Sequence, residues 1–116
     1  MNIHFESRGD VSIVIISGSV DSLTAEAVLS ELTAYVVAGH LQLVADLGAV
    51  DYTSSAGLRA LLSTVKATRR GGGDLRLARA SPNVFKVLEL SGFTTIMKLY
   101  DEVDAAVASF GPSASA

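Results

Sequence analysis

The segment from residue 41 to residue 62 constrains the fold more than any other, because its periodicity changes across two adjacent serines. Residues 41–47 are mostly apolar, which is typical of a strand covered on both faces of a parallel sheet. After Ser55, apolar residues follow the i, i+3, i+4, i+7 spacing of a helix with one buried face: Leu58, Leu61, Leu62 and Val65. The segment therefore predicts a strand, a hydroxyl-bearing loop and a helix that begins at about Ser54 or Ser55.

The first forty residues predict a hairpin followed by a helix. Residues 3–7 alternate between apolar and polar, residues 11–17 are rich in β-branched side chains, and an Arg-Gly-Asp tripeptide supplies the turn between them. Apolar residues then return at helical spacing over residues 25–36, with Asp21 or Ser22 as the expected N-cap. This region therefore predicts two antiparallel strands and the first helix.

Strand and helix patterns alternate through the second half of the chain. A triple-glycine turn precedes residues 75–78, which predict a strand, and Ser81-Pro82 is typical of a helix start with a serine cap. Residues 96–100 predict a last strand, and Asp101 opens a last helix with acidic residues in its first turn.

This order predicts the α/β class, because strands that alternate with helices form parallel pairs joined by right-handed crossovers. We expect a single domain over residues 1–110, with a mixed, mostly parallel β-sheet, an opening hairpin, about five strands and four helices. Residues 111–116 are small and predict a flexible C-terminal tail. Partners of such folds tend to meet the loops at the carboxyl ends of the strands, and the loop before Ser55 is one of these.

Composition argues against several classes of function. The chain has no cysteine, which excludes disulfides, thiolate catalysis and cysteine metal sites, and its two histidines, His4 and His40, are far apart in sequence. We therefore expect no metal and no cofactor. The net charge of −3 argues against nucleic-acid binding, and the densest apolar stretch, residues 11–16, is too short to span a bilayer. We expect a cytoplasmic protein without membrane insertion.

A serine at a helix start has two interpretations. Its oxygen can cap the free amides of the first turn, which carry the positive end of the helix dipole. The same position also suits a phosphate group, which adds roughly −1.5 to −2 charges where a helix favours negative charge. The residues alone leave both interpretations open.

The run Tyr52-Thr53-Ser54-Ser55-Ala56-Gly57-Leu58-Arg59 resembles the signature of the STAS domain, in the form found in anti-sigma factor antagonists, or anti-anti-sigma factors. Further similarities are the turn at residues 18–21, the strand end at residues 44–47 and the break at residues 91–93. In that family a serine at the helix start is phosphorylated, and alignment on Gly57-Leu58 puts that serine at Ser55. Many antagonists carry aspartate where this chain has Ser54.

The resemblance implies a phosphorylation-switched binding module and not an enzyme. The expected partner is an anti-sigma factor with serine kinase activity, which the unmodified protein sequesters so that a sigma factor is released, and phosphate on Ser55 blocks this binding. A serine phosphatase is expected to reverse the modification. The residues expected to bind the partner are Asp21, Ser22, Asp51, Tyr52, Thr53, Ser54, Ser55, Ala56, Gly57, Leu58 and Arg59.

Two alternatives remain open at this point. The chain is alternatively a STAS interaction module of a lipid-transport or sensory complex that works without phosphorylation, an interpretation that Ser54 in the aspartate place favours. An enzyme with Ser55 as nucleophile would need a base within reach, and Asp21, Asp46 or Asp51 would have to supply it, because no Gly-x-Ser-x-Gly motif is present.

Two substitutions follow from the helical pattern. Leu61 is predicted to face the core, so Leu61→Ala should destabilise the domain by roughly 2–5 kcal/mol. Gly57 lies in the first helical turn and suggests close backbone approach, and we expect Gly57→Glu to keep the fold and weaken partner binding.

Overall fold

A computed structural model describes residues 1–111 as one mixed β-sheet with helices on both of its faces. The strands are β1 (Asn2–Arg8), β2 (Val11–Val20), β3 (Gln42–Thr53), β4 (Asp74–Ala78) and β5 (Leu99–Tyr100). The helices are α1 (Ala25–Val37), α2 (Ser55–Arg70), α3 (Pro82–Leu90) and α4 (Val103–Ala108), with a 3₁₀ turn over Phe93–Thr95.

The strands lie in their chain order across the sheet, β1-β2-β3-β4-β5. The β1–β2 pair is antiparallel, and the three other pairs are parallel. The predicted fold class, with its opening hairpin, five strands and four helices, is therefore confirmed. The prediction of a flexible tail falls mainly on residues 112–116, which lie outside the described part of the chain.

The sheet separates a large core from a small one. The large core packs α1, α2 and α3 on one face through residues such as Leu32, Leu61 and Leu88. On the other face, α4 contributes Ala106 and Val107 to a smaller cluster. Leu61 is 5% exposed, so its predicted inward orientation is confirmed.

Three boundaries differ from the sequence prediction. Helix α1 begins at Ala25 with Thr24 as N-cap, because the Asp21 side chain stabilises a separate turn ahead of it. Strand β3 continues to Thr53, well beyond the predicted end at residue 47. Strand β5 is confined to Leu99–Tyr100, because the amides of Ile96 and Met97 donate to the Phe93 carbonyl and so belong to the turn that follows α3.

The C-terminal end of α2 is held by a network of ion pairs. Arg69 Nε donates to Asp74 Oδ1 at 2.8 Å, and its Nη2 donates to the Ile96 carbonyl at 2.7 Å. Arg76 Nε donates to Asp74 Oδ2 at 3.1 Å, and its Nη1 donates to Ser109 Oγ at 2.7 Å. This C-terminal clamp, formed by Arg69, Asp74 and Arg76, joins α2, β4 and the segment after α4.

None of the helices described here is long and apolar enough to cross a membrane.

Candidate functional site

The carboxyl ends of β2 and β3 place the two predicted site segments side by side. Ser19 pairs with Tyr52 and Val20 with Thr53 in parallel register. The Ser54 amide then donates to the Val20 carbonyl at 2.8 Å. Asp21 and Ser22, which follow β2 directly, therefore lie beside the segment that leads into α2.

This contact depends on two irregularities in the β2–β3 pairing. The register shifts between Ile15 and Ser17 and again between Gly18 and Ser19, and β3 continues through both of them to Thr53. Bulges of this kind re-aim a strand at its end and are common beside functional sites. Their effect here is to carry β3 to the first residue before the helix cap.

Three consecutive hydroxyl residues at the start of α2 have three different environments. Thr53 is 7% exposed, and its hydroxyl donates to the Ser54 carbonyl. Ser54 is the N-cap, and its Oγ accepts the Gly57 amide at 3.2 Å. Ser55 is the first helical residue and is exposed, and its hydroxyl makes no hydrogen bond within residues 1–111. Ser55 therefore carries the accessible, unengaged hydroxyl of the three.

Asp21 organises the turn between β2 and α1. Its Oδ1 accepts the amides of Leu23 and Thr24, both at 2.9 Å, while the Asp21 amide donates to Thr24 Oγ1. The hydrogen bond from the Thr24 amide is the largest of the effects that hold the pKa of the Asp21 carboxyl below its ordinary value, and burial opposes it. Asp21 is thus a negative charge fixed beside the Ser55 surface.

Gly57 lies where α2 passes closest to the end of β2. A Cβ at this position would lie 2.5 Å from Thr53 Oγ1, 2.9 Å from Val20 Cγ1 and 3.2 Å from the Val20 carbonyl oxygen. Gly57 therefore allows the helix to approach the strand backbone closely. The expectation that Gly57→Glu keeps the fold stays a prediction, and this geometry disfavours it, because the Thr53 and Val20 side chains would have to shift to admit a Cβ.

The predicted site residues divide into a surface group and a supporting group. Ser22, Asp51, Tyr52, Ser55 and Arg59 are exposed. Asp21, Ser54 and Ala56 are partly exposed, whereas Thr53, Gly57 and Leu58 are buried. That these three residues contact a partner stays a prediction, and their burial shows that they support the exposed residues from beneath.

One prominent residue of this surface, Leu23, was not predicted from the sequence. Leu23 is 87% exposed on the Asp21 turn, and Tyr52 is 54% exposed on the neighbouring segment. Single exposed apolar side chains are common on protein surfaces, and Val37 and Leu90 are similarly exposed, so what distinguishes Leu23 and Tyr52 is their position on the segments beside Ser55. An apolar residue inside a predicted capping turn was the available signal, since the turn conformation prevents Leu23 from reaching the core. We call Asp21, Leu23, Tyr52, Ser55 and Arg59 the switch surface.

Two of the three carboxylates that the enzyme alternative would need, Asp46 and Asp21, are engaged elsewhere. Asp46 accepts hydrogen bonds from the Gly48 amide at 3.0 Å and from Arg79 Nη1 at 3.1 Å. Asp21 is held by its own turn, as described above. No cluster of three or more potential metal-ligating side chains occurs within residues 1–111. Neither Asp21 nor Asp46 makes a hydrogen bond to Ser55 within the described residues.

A family model described as the STAS domain matches residues 2–106. The chain belongs to the STAS domain family. It is 38% identical over 110 residues to BtrV of Bordetella bronchiseptica, whose name includes the words anti-sigma factor antagonist, and the match covers 95% of both chains.

Solved structures of STAS proteins share the fold. The crystal structure of an anti-sigma factor antagonist from Mycobacterium paratuberculosis matches with a TM-score of 0.85 and 29% identity, covering 93% of this chain and 92% of the other. A Thermotoga maritima structure matches with a TM-score of 0.88 over 92% of both chains, at 20% identity, and this likeness concerns the fold alone.

Proposed function

We propose that this STAS protein is an anti-sigma factor antagonist whose binding is switched by phosphorylation of Ser55. The observation that carries the proposal is the contrast among three adjacent hydroxyls: Thr53 is buried, Ser54 caps the helix and Ser55 is exposed and unengaged. The names of the related proteins support the antagonist role.

The unmodified switch surface is suited to docking on a protein. Leu23 and Tyr52 offer exposed apolar area, and Ser55 lies near them at the start of α2. The proposed partner is an anti-sigma factor that is also a serine kinase. While it is bound to this surface it cannot hold its sigma factor, and the sigma factor is released. The action is cytoplasmic in this proposal.

Phosphorylation changes one group on this surface. The kinase transfers the γ-phosphoryl group of ATP to Ser55 Oγ: a new O–P bond forms, the bond to the ADP oxygen breaks, and the serine proton is released. The product carries roughly −1.5 to −2 charges and three acceptor oxygens. These charges add to that of Asp21 on the adjoining turn, so a partner surface that fits the small hydroxyl is opposed by the bulk of the phosphate and by its negative charge. A serine phosphatase would restore the hydroxyl.

Substitution of Ser55 tests the switch. Ser55→Ala should bind the anti-sigma factor with wild-type affinity and resist phosphorylation, because only one unengaged oxygen is lost. Ser55→Asp should bind about tenfold or more weakly, because like charges across an interface cost several kcal/mol. Its effect should remain below that of phosphate, since a carboxylate carries one charge and two oxygens. Isothermal titration calorimetry measures both affinities.

The melting temperature separates this switch from damage to the fold. Ser55→Asp places a carboxylate at the positive end of α2, so its melting temperature should equal or exceed that of wild type. Weaker binding with an undiminished melting temperature supports the proposal. Wild-type affinity in Ser55→Asp, or continued phosphorylation of Ser55→Ala on Ser54 or Thr53, contradicts it.

A further inference from the structure

Arg59 lies one helical turn after Ser55 on the same exposed side of α2. Residues four apart on a helix have Cβ atoms about 5–6 Å apart and are neighbours on its surface. Helical side chains also lean toward the N-terminus, so a long side chain covers the turn that precedes its own Cα. This helix geometry brings the turn that carries Ser55 within reach of the Arg59 side chain.

Arg59 differs from most arginines of this protein. Within residues 1–111, Arg8, Arg69, Arg76 and Arg79 each form an ion pair with an aspartate, whereas Arg59 and Arg70 form none. Arg59 instead lines a shallow groove between α1 and α2 together with Ser22, Ala25, Glu26 and Ala56. Its guanidinium is thus uncommitted at the border of the switch surface.

We propose that Arg59 is the intramolecular counter-ion of phosphorylated Ser55. The inference rests on the proposed phosphorylation of Ser55 and adds what happens to the phosphate once it is there. The planar guanidinium can give two parallel N–H bonds to phosphate oxygens, which is its preferred geometry with this group. An acidic group N-terminal to a basic one at i, i+4 is also the orientation that agrees with the helix dipole.

Carboxylates on the elements around Ser55 influence how this ion pair would change the surface. Asp21 lies on the turn before α1, Glu26 on α1 and Asp51 near the end of β3. Glu26 lines the same α1–α2 groove as Arg59, and its carboxylate repels a phosphate at Ser55, whereas Asp51 lines a separate groove beside α3. An ion pair between Arg59 and the phosphate would change the switch surface in two ways. The surface would gain an anion, and the α1–α2 groove would lose a guanidinium that is otherwise free to bind.

The pairing is tested on protein that carries phosphoserine at position 55 by genetic encoding, so that no kinase is required. The ³¹P chemical shift, followed against pH, gives the second pKa of the phosphate, which is about 6 for free phosphoserine. Arg59→Gln is expected to raise this pKa by about half a unit, the scale of an i, i+4 ion pair to a doubly charged group. Phosphorylated wild type and phosphorylated Arg59→Gln carry the same carboxylates, so the difference between their phosphate pKa values reports the effect of Arg59.

Arg70→Gln is the matched control. It removes the same charge from an exposed, unpaired arginine of α2, fifteen residues from Ser55 and therefore about 22 Å along the helix. This variant should leave the phosphate pKa unchanged. Equal pKa values in wild type and Arg59→Gln, or equal shifts in the two variants, would overturn the proposal.

Affinity for the anti-sigma factor distinguishes this inference from the function on which it rests. If Arg59→Gln raises the phosphate pKa while the phosphorylated wild type still binds tightly, the ion pair exists and the proposed switch fails. If the phosphate abolishes binding but Arg59→Gln leaves its pKa unchanged, the switch stands and the counter-ion is wrong.

Discussion

The two ends of helix α2 are built in opposite ways. At the C-terminal end, the Arg69 guanidinium is paired with Asp74, whose side chain is 9% exposed and also binds Arg76. At the N-terminal end, the Ser55 hydroxyl is exposed without a hydrogen-bond partner, and the Arg59 guanidinium has no carboxylate partner within the described residues. The C-terminal end of α2 therefore lies in a hydrogen-bonded network of ion pairs, whereas its N-terminal end presents polar groups that have no partner within the described residues.

This difference indicates where the protein is stabilised and where it interacts. A buried network that satisfies its polar groups fixes the position of a helix, and its loss leaves charges without partners. Exposed, uncommitted groups contribute little to folding, and they are the groups that the proposed function assigns to a kinase and a docking protein. We therefore expect the largest losses of stability at the C-terminal end of α2 and smaller ones around its N-terminal end.

The largest loss of stability is expected for Asp74→Ala in the C-terminal clamp. This change leaves the Arg76 guanidinium nearly buried without its carboxylate and should reduce the free energy of unfolding by about 3 kcal/mol. Asp104→Ala is the control, because its ion pair with Arg8 is exposed and should contribute about 1 kcal/mol or less. Urea denaturation measures both. Equal losses in the two variants would show that the clamp does not secure α2.

The second prediction concerns the contact beneath the switch surface. Gly57→Ala places a methyl group within 2.5 Å of Thr53 Oγ1 and 3.2 Å of the Val20 carbonyl oxygen. Overpacking of this kind should destabilise the domain by about 1–3 kcal/mol. Thermal denaturation followed by circular dichroism checks it, and an unchanged melting temperature would mean that the helix start is looser than described.

Adjacent serines supply the third prediction. Ser54→Ala removes the side-chain cap of α2 and should cost about 1 kcal/mol, whereas Ser55→Ala should change stability by less than about 0.5 kcal/mol. Chemical denaturation of the two variants, side by side, tests the assignment. A larger loss of stability in Ser55→Ala than in Ser54→Ala would show that Ser55, and not Ser54, caps the helix.

The smallest effect is a pH dependence at Asp21. Its folded-state pKa is lowered, chiefly by the Thr24 amide, so its contribution to stability is present above the unfolded pKa and is lost as pH falls. The difference in melting temperature between wild type and Asp21→Asn should therefore be positive at neutral pH and shrink below about pH 3.8. A difference that is constant from pH 7 to pH 3 would contradict the capping role of the carboxylate.

Most of the fold could be predicted from the sequence, because local patterns decide it. The period-2 and period-3.6 spacing of apolar residues, together with Ser81-Pro82, identified the elements and their order. The approximate start of α2 followed from the same spacing. The sequence left open whether Ser54 or Ser55 caps the helix, because both are equally suitable cap residues.

The remaining features depend on contacts between distant segments. The continuation of β3 to Thr53 requires pairing with β2 through two register shifts, which no local pattern encodes. The burial of Gly57 depends on how closely α2 approaches Val20. The exposure of Leu23 depends on the turn that Asp21 stabilises, and an apolar residue beside a helix would otherwise be expected in the core.

The most direct test of the switch uses the wild-type protein and a candidate anti-sigma kinase from the same organism. The protein is incubated with the kinase and ATP, the phosphate is located by mass spectrometry, and the affinity of each form for the kinase is measured. We predict a single phosphate, on Ser55, and a loss of binding in the modified form. A phosphate on Ser54 or Thr53, or a Ser55-phosphorylated protein that binds as tightly as the unmodified one, would contradict the account.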